Sequence, residues 1–255
     1  MNAKNIFKME MYKNIKDKTY MIVLAVFISL SLLLNFSWLA VSLTNIDFQN
    51  FPILLTFLSI TTVFAVIGLA IFSLLYPFHL LNIDYKNKVM SLMIASGVSR
   101  VKYYFVKIGT TILTQLIALF LVLVVPFVTF FIFNQETVFS LFRSLDLLVH
   151  SADIFMGLLS YILGLVAMMV TMALAVIMTR GRTSGLFVYI AFNFTSRILQ
   201  TVLMSLFFLF LAQVGTSDFS STFISNNSLF SIGYHIIEIL IFGLIGIFYL
   251  RKQDL

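Results

Sequence analysis

Two groups of residues in this chain have side chains and spacing suited to chemistry in an apolar setting. His235 and Glu238 stand three positions apart, which on a helix puts an imidazole and a carboxylate on about one face. Such a pair could relay protons, orient a substrate or satisfy another helix. A packing or local hydrogen-bonding role is the simplest use, and a catalytic dyad is the remotest. The second group is Arg197 with Asn193, Thr195, Ser196 and Gln200. A charge in hydrocarbon is costly unless paired, hydrated or snorkelling, so this cluster is expected to face protein or a conduit. A buried structural network and direct participation in transport both fit it.

Neither group is a metal site. Two residues do not complete a coordination shell, and no matching Cys/His/Asp/Glu cluster is visible in the sequence. No Walker A sequence, GxGxxG, HExxH or GxSxG is present either. The sequence therefore assigns no catalytic, cofactor-binding or metal-binding residue to this chain.

The elements that must position these residues are membrane helices. Of 255 residues, 61% are hydrophobic and 10% charged, with 29 Phe and no Cys. A soluble domain carries about 25% charged residues and cannot hide this much apolar surface at this size. Charge-free runs and polar punctuation place helix cores near 20–42, 54–80, 104–131, 154–179, 185–212 and 230–250. Each supplies roughly the 20 apolar residues that cross the hydrocarbon layer. The run starting at Phe48 is read as one long tilted helix, not two short ones. The first run is too long for a secretion signal and lacks a clear small-residue cleavage site, so it is read as a retained span. The expected fold class is all-α, a polytopic membrane protein of about six spans.

Basic residues set the expected orientation. With the N-terminus inside, the cytoplasmic pieces hold 14 of the 16 Lys and Arg residues; Arg143 lies outside and Arg197 within the fifth span. The positive-inside rule then puts both termini in the cytoplasm of a multi-pass protein. The net charge of +6 records this topology and does not point to nucleic acid, for which no water-facing basic platform is apparent.

Residues 1–255 read as a single transmembrane domain with three accessory segments. Residues 1–18 form a basic leading segment in which Phe7, Met11 and Ile15 recur at i,i+4, as on an interfacial helix. Residues 84–97, between spans two and three, read as a short surface helix. Its compact patch comprises Tyr85, Val89, Leu92, Met93 and Ser96, and Gly97 is its stop. Partner docking and a loop lying on the membrane suit this patch equally. Residues 214–230, rich in Ser, Asn and Thr, read as an external linker or short re-entrant excursion. The outer segment 134–153 is mixed in character, and its apolar residues are compatible with an interfacial helix.

The stretch Asp84-Tyr85-Lys86-Asn87-Lys88-Val89-Met90-Ser91-Leu92-Met93-Ile94-Ala95-Ser96-Gly97-Val98-Ser99-Arg100 is followed by Tyr103-Tyr104-Phe105-Val106-Lys107, and the chain ends Tyr249-Leu250-Arg251-Lys252-Gln253-Asp254-Leu255. With these features in this order, the chain resembles the membrane subunits of bacterial type-2 ABC transporters, the ABC-2 permease family. Asn87-Lys88 stands where that family commonly has a Gly-Thr-like turn. The resemblance covers six spans, the loop after span two and both ends.

It implies an ABC-2 type exporter fold, in which 1–18 is an elbow helix and 84–97 a coupling helix. Tyr85, Val89, Leu92 and Met93 would then dock on a separate ABC ATPase subunit, which would hold the ATP and Mg that this chain lacks. The implied assembly pairs the chain with a second copy or a different permease in the bacterial cell membrane, among membrane lipid. The implied cargo is a hydrophobic or amphipathic peptide, as in small family members used for peptide secretion or antimicrobial-peptide immunity. Lipid, hydrophobic drug or sodium export, a non-transport scaffold or immunity protein, and an intramembrane enzyme are the alternatives.

Overall fold

The computed structural model describes residues 2–43, 52–133, 151–213 and 219–253, together with 135 and 139. Eight helices lie among them, the first a basic polar segment and the others apolar runs. They are α1 (Ala3–Lys16), α2 (Lys18–Leu43), α3 (Pro52–Lys86), α4 (Val89–Ala95), α5 (Arg100–Phe133), α6 (Ser151–Met178), α7 (Ser184–Gln213) and α8 (Phe219–Lys252). Six of them, α2, α3 and α5–α8, are long and apolar enough to cross a membrane, which makes the chain a multi-pass membrane protein. The run after Phe48 is a single helix from Pro52: α3 has 35 residues, about 52 Å of helix. That exceeds the hydrocarbon thickness by several turns, and the excess carries Asp84 and Tyr85 beyond the most apolar part of the span.

One expected loop is different. From Phe219 onward, the segment anticipated as a linker or re-entrant excursion at 214–230 is helical and continuous with the last span. Isolated Ser and Asn residues do not break a helix whose backbone bonds stay within the segment. Residues 214–218 lie outside the described residues, as does nearly all of 134–150.

α6 is the central post. Over half of its span, 56%, is buried, against 19% or less in each of the other five. Met169–Ile177 is buried at every position, and Ala173 and Ala175 in that stretch leave room for neighbouring helices to approach. α8 packs most extensively against it, with α7, α3 and α5 around the remainder. On the other side, α2, α3 and α5 share a second core. There Tyr20 stacks on Tyr76 at 4.8 Å, Tyr76 on Phe72 at 5.3 Å, and Phe72 lies 5.1 Å from Phe27.

The connections at one end of the bundle are tightly knotted. Gln253, just past α8, donates from Nε2 to the Ile177 carbonyl of α6 at 2.5 Å and accepts from the Tyr85 hydroxyl of α3 at 3.4 Å. Arg100, opening α5, donates to the carbonyls of Leu250, Arg251 and Gln253. A guanidinium is well suited to this place, where a helix leaves carbonyls unpaired and its dipole is negative. α1, α4 and the α6–α7 turn lie at this same end, and so do 14 of the 16 basic residues.

Candidate functional site

Three polar or exposed features stand out, and the first was not anticipated. Glu10 and Lys13 lie one turn apart on α1, Asp84 closes α3, and Tyr103 and Lys107 lie one turn apart on α5. Lys107 Nζ is 2.8 Å from Glu10 Oε2 and 2.7 Å from Asp84 Oδ2. Lys13 Nζ is 3.3 Å from Glu10 Oε2 and also pairs with Asp84 Oδ1. The result is a closed ring of two carboxylates and two ammoniums in alternating sign, with the Tyr103 hydroxyl donating to Asp84 as well. Glu10, Asp84 and Lys107 are buried, while Lys13 is half-exposed.

A threonine stripe continues the polar face of α5. Thr110 and Thr111 donate to the Lys107 carbonyl, and Thr114 accepts from Asn14 Nδ2 at 3.2 Å. Burial alone would lower the Lys13 pKa, but Asp84 and then Glu10 outweigh it and hold the ammonium above its ordinary 10.5. The ring therefore carries no net charge, and each of its carboxylates meets two cations.

This ring defines a second, inward face of α1. Phe7, Met11 and Ile15 were anticipated as the stripe that meets the membrane, and the face turned into the protein is the adjacent one of Ile6, Glu10 and Asn14. Phe7 and Met11 are only half-buried and Ile15 is exposed. Lys107 pairs with Glu10, and Asp84 with Lys13, so the charges on this buried face are met.

The second feature is α4, which sits against the ring. Met90 of α4 shares with Asp84, Tyr103 and Lys107 the wall of a cavity of about 30 Å³. The helix stops as expected at Gly97, whose φ of +87° places it in the left-handed region. There the Val98 amide donates to Met93 and the Gly97 amide to Ile94, the paired bonds of a glycine C-cap.

The four residues anticipated as one docking face are divided. Lys88 adopts φ 55° and separates α3 from α4, which resets the helical register between Tyr85 and Val89. Tyr85 thus belongs to the last turn of α3 and turns inward, and Met93 packs on the core. Val89 is half-buried, whereas Leu92 is 68% exposed and is the one of the four that projects freely.

The third feature lies near the middle of α7 and α8. Glu238 accepts from the Ser196 hydroxyl at 2.6 Å and lies 3.3 Å from His235 Nδ1, so this expected pair is in contact. Tyr234 adds a bond from its hydroxyl to the Ser196 carbonyl at 2.7 Å. Gly164 of α6 lets the imidazole in: a Cβ there would stand 3.2 Å from His235 Nε2.

Arg197 differs from its buried neighbour Ser196. It is exposed on the outside of the chain, and its Nη1 donates to Gln200 Oε1 at 2.9 Å. Asn193 donates to the Tyr189 hydroxyl at 3.1 Å and is half-buried. Among the described residues Arg197 has no carboxylate within ion-pair distance. No three of their His, Asp or Glu side chains converge as metal ligands would.

Tyr234 and Gly164, which complete the His235–Glu238 contact, carry little signal in the sequence. The one available sign was that Tyr234 adjoins His235. No protein-family model, curated protein or solved structure matches this chain.

Proposed function

We propose that this chain is the permease subunit of an ATP-driven exporter with an ABC-2 type fold, lying in a bacterial cell membrane with both termini cytoplasmic. The observation that carries this reading is α4: a one-to-two-turn helix, backed by a neutral charge ring, that presents Leu92 outward from the basic end of a six-span bundle. Such a helix suits a groove on a soluble partner, and the rigid backing suits transmission of that partner's movement. The basic residues clustered at the same end favour its facing the cytoplasm. The sequence carries no nucleotide-hydrolysis motif, so ATP and Mg belong to a separate ATPase subunit. The exposed apolar surface of the spans suits a hydrophobic or amphipathic peptide as cargo, with a second permease subunit covering part of it.

The test is co-purification of the chain with an ATPase bearing a Walker A motif, followed by ATP-driven uptake of an amphipathic peptide into inverted vesicles. Leu92→Asp would put a carboxylate into the contact and weaken ATPase association about tenfold or more, whereas Asn87→Asp matters less. Wild-type association and uptake by Leu92→Asp would exclude this coupling surface. A chain that is functional with no ATPase bound would favour a membrane scaffold or immunity protein.

A further inference from the structure

The angle between α1 and α2 holds a groove of about 340 Å³ in which the charge ring takes no part. Its walls are Ile15 and Lys16, from the last turn of α1, and Lys18, Met21 and Ile22, from the opening of α2. All five are exposed. Lys18, Met21 and Ile22 share one face of α2 at i, i+3 and i+4. Asp17 makes the bend, because its extended backbone ends α1 before α2 begins.

The acid between the two lysines is engaged elsewhere. One carboxylate oxygen of Asp17 accepts from the Thr19 amide at 2.9 Å, and the other lies 3.2 Å from His79 Nε2 on α3. Among the described residues, neither Lys16 nor Lys18 has a carboxylate within ion-pair distance. The groove therefore offers two ammoniums to an anion from outside the chain.

Depth narrows what that anion is attached to. Lys18 opens the α2 span, and Met21 and Ile22 stand about 5–6 Å farther along its axis. The groove is thus charged where the span leaves the membrane and apolar just within it. That is the order of phosphate and acyl chain in a phospholipid, and lysine stems reach readily to the phosphate level. A soluble partner could meet the lysines but not Met21 and Ile22, which lie inside the span. A second copy brings the same lysines, and the described carboxylates at this end, Glu10, Asp17 and Asp84, are already engaged within their own chain.

We infer that the α1–α2 groove binds an anionic phospholipid of the leaflet on the α4 side. Lys16 and Lys18 hold the headgroup phosphate, and Ile15, Met21 and Ile22 pack on the start of an acyl chain. Basic pockets beside membrane helices select anionic over zwitterionic headgroups by net charge. The assignment rests on the multi-pass fold and is independent of the exporter reading.

The experiment offers the full chain, in detergent, an equimolar mixture of phosphatidylglycerol and phosphatidylcholine, and counts the retained lipids by native mass spectrometry. The wild-type chain is expected to retain phosphatidylglycerol about tenfold in preference. Lys16→Gln with Lys18→Gln should remove that preference. Lys4→Gln with Lys8→Gln, which removes exposed lysines of α1 outside the groove, should keep it. Equal retention of the two lipids by the wild-type chain overturns the site, and that comparison needs no variant to fold. An equal loss in the Lys4 and Lys8 variant also overturns it, by reducing the effect to diffuse attraction of a basic surface. Displacement of the lipid by glycerol 3-phosphate would show that phosphate suffices without an acyl chain, which overturns the lipid assignment. If the Lys16 and Lys18 variant instead dissociates a dimer with lipid retention unchanged, a second copy covers the groove and the assignment is overturned.

Discussion

The charge ring at the α4 end and the polar group at mid-membrane use similar side chains to opposite ends. In the ring, Glu10 and Asp84 each meet Lys13 and Lys107, and the four charges cancel within the chain. At mid-span, Glu238 is satisfied by Ser196 and His235, while Arg197, beyond ion-pair distance of it, is exposed and bonds Gln200. A network that closes on itself clamps helices together; an exposed cation beyond ion-pair distance of any described carboxylate clamps less. Buried ion pairs are not inherently stabilising, but removing one member of a closed set leaves a bare charge behind. The two regions should therefore respond to mutation with different magnitudes.

The largest effect is expected from Lys107→Leu, which leaves two buried carboxylates sharing Lys13. It should cost about 3–5 kcal/mol and release α1, measured as lowered thermal stability in detergent and faster proteolysis near Lys16. Adding Glu10→Leu restores charge balance and should recover part of the loss. A single variant as stable as wild type would break the contrast by showing that the ring clamps nothing.

Next is Glu238→Leu, which strips the partner from Ser196 and His235 at a cost of about 1–3 kcal/mol by the same melt. Arg197→Leu sits at the other pole. The isolated chain should change by no more than about 0.5 kcal/mol, because the site is exposed and unpaired by carboxylate, whereas uptake per assembled complex falls. Arg197→Lys should fall less. A large loss of stability in the isolated Arg197→Leu chain would place this residue in the clamping class instead.

The smallest effect concerns pH. The Lys13 pKa is raised in the folded chain, so its contribution is fully present below about 10.5 and is lost as pH rises through the higher folded value. Wild type and Lys13→Met should differ in melting temperature by a constant amount from neutral pH to about pH 10, and converge above it. A difference already shrinking near neutrality would contradict the ring geometry.

Much of the scaffold was legible because its signals are local. Apolar runs bounded by charge marked six spans, basic lysines marked α1, and Gly97 marked the end of α4. The ring was not legible, because its bonds join residues 71 and 97 positions apart and no local spacing encodes them. It also inverts the rule that charge faces outward, so Glu10 was passed over in favour of Phe7, Met11 and Ile15. Tyr85 does not share a helical register with Val89, Leu92 and Met93 for a smaller reason: one left-handed residue, Lys88, separates α3 from α4. His235 and Glu238 met as their spacing required, but the direction of Arg197 depends on which helices pack beside α7.

The bonds made by Gln253 have a consequence for how the chain is built during synthesis. Every member of the ring is in hand once Lys107 has left the ribosome, so α1, α3 and α5 can lock while the later spans are still being inserted. The joints from Gln253 to Ile177 and Tyr85, and from Arg100 to α8, must wait for the final helix. Until then the α6 carbonyl at Ile177 and the α5 guanidinium lack these partners, which leaves a half-made protein chemically distinct from a finished one at this end of the bundle.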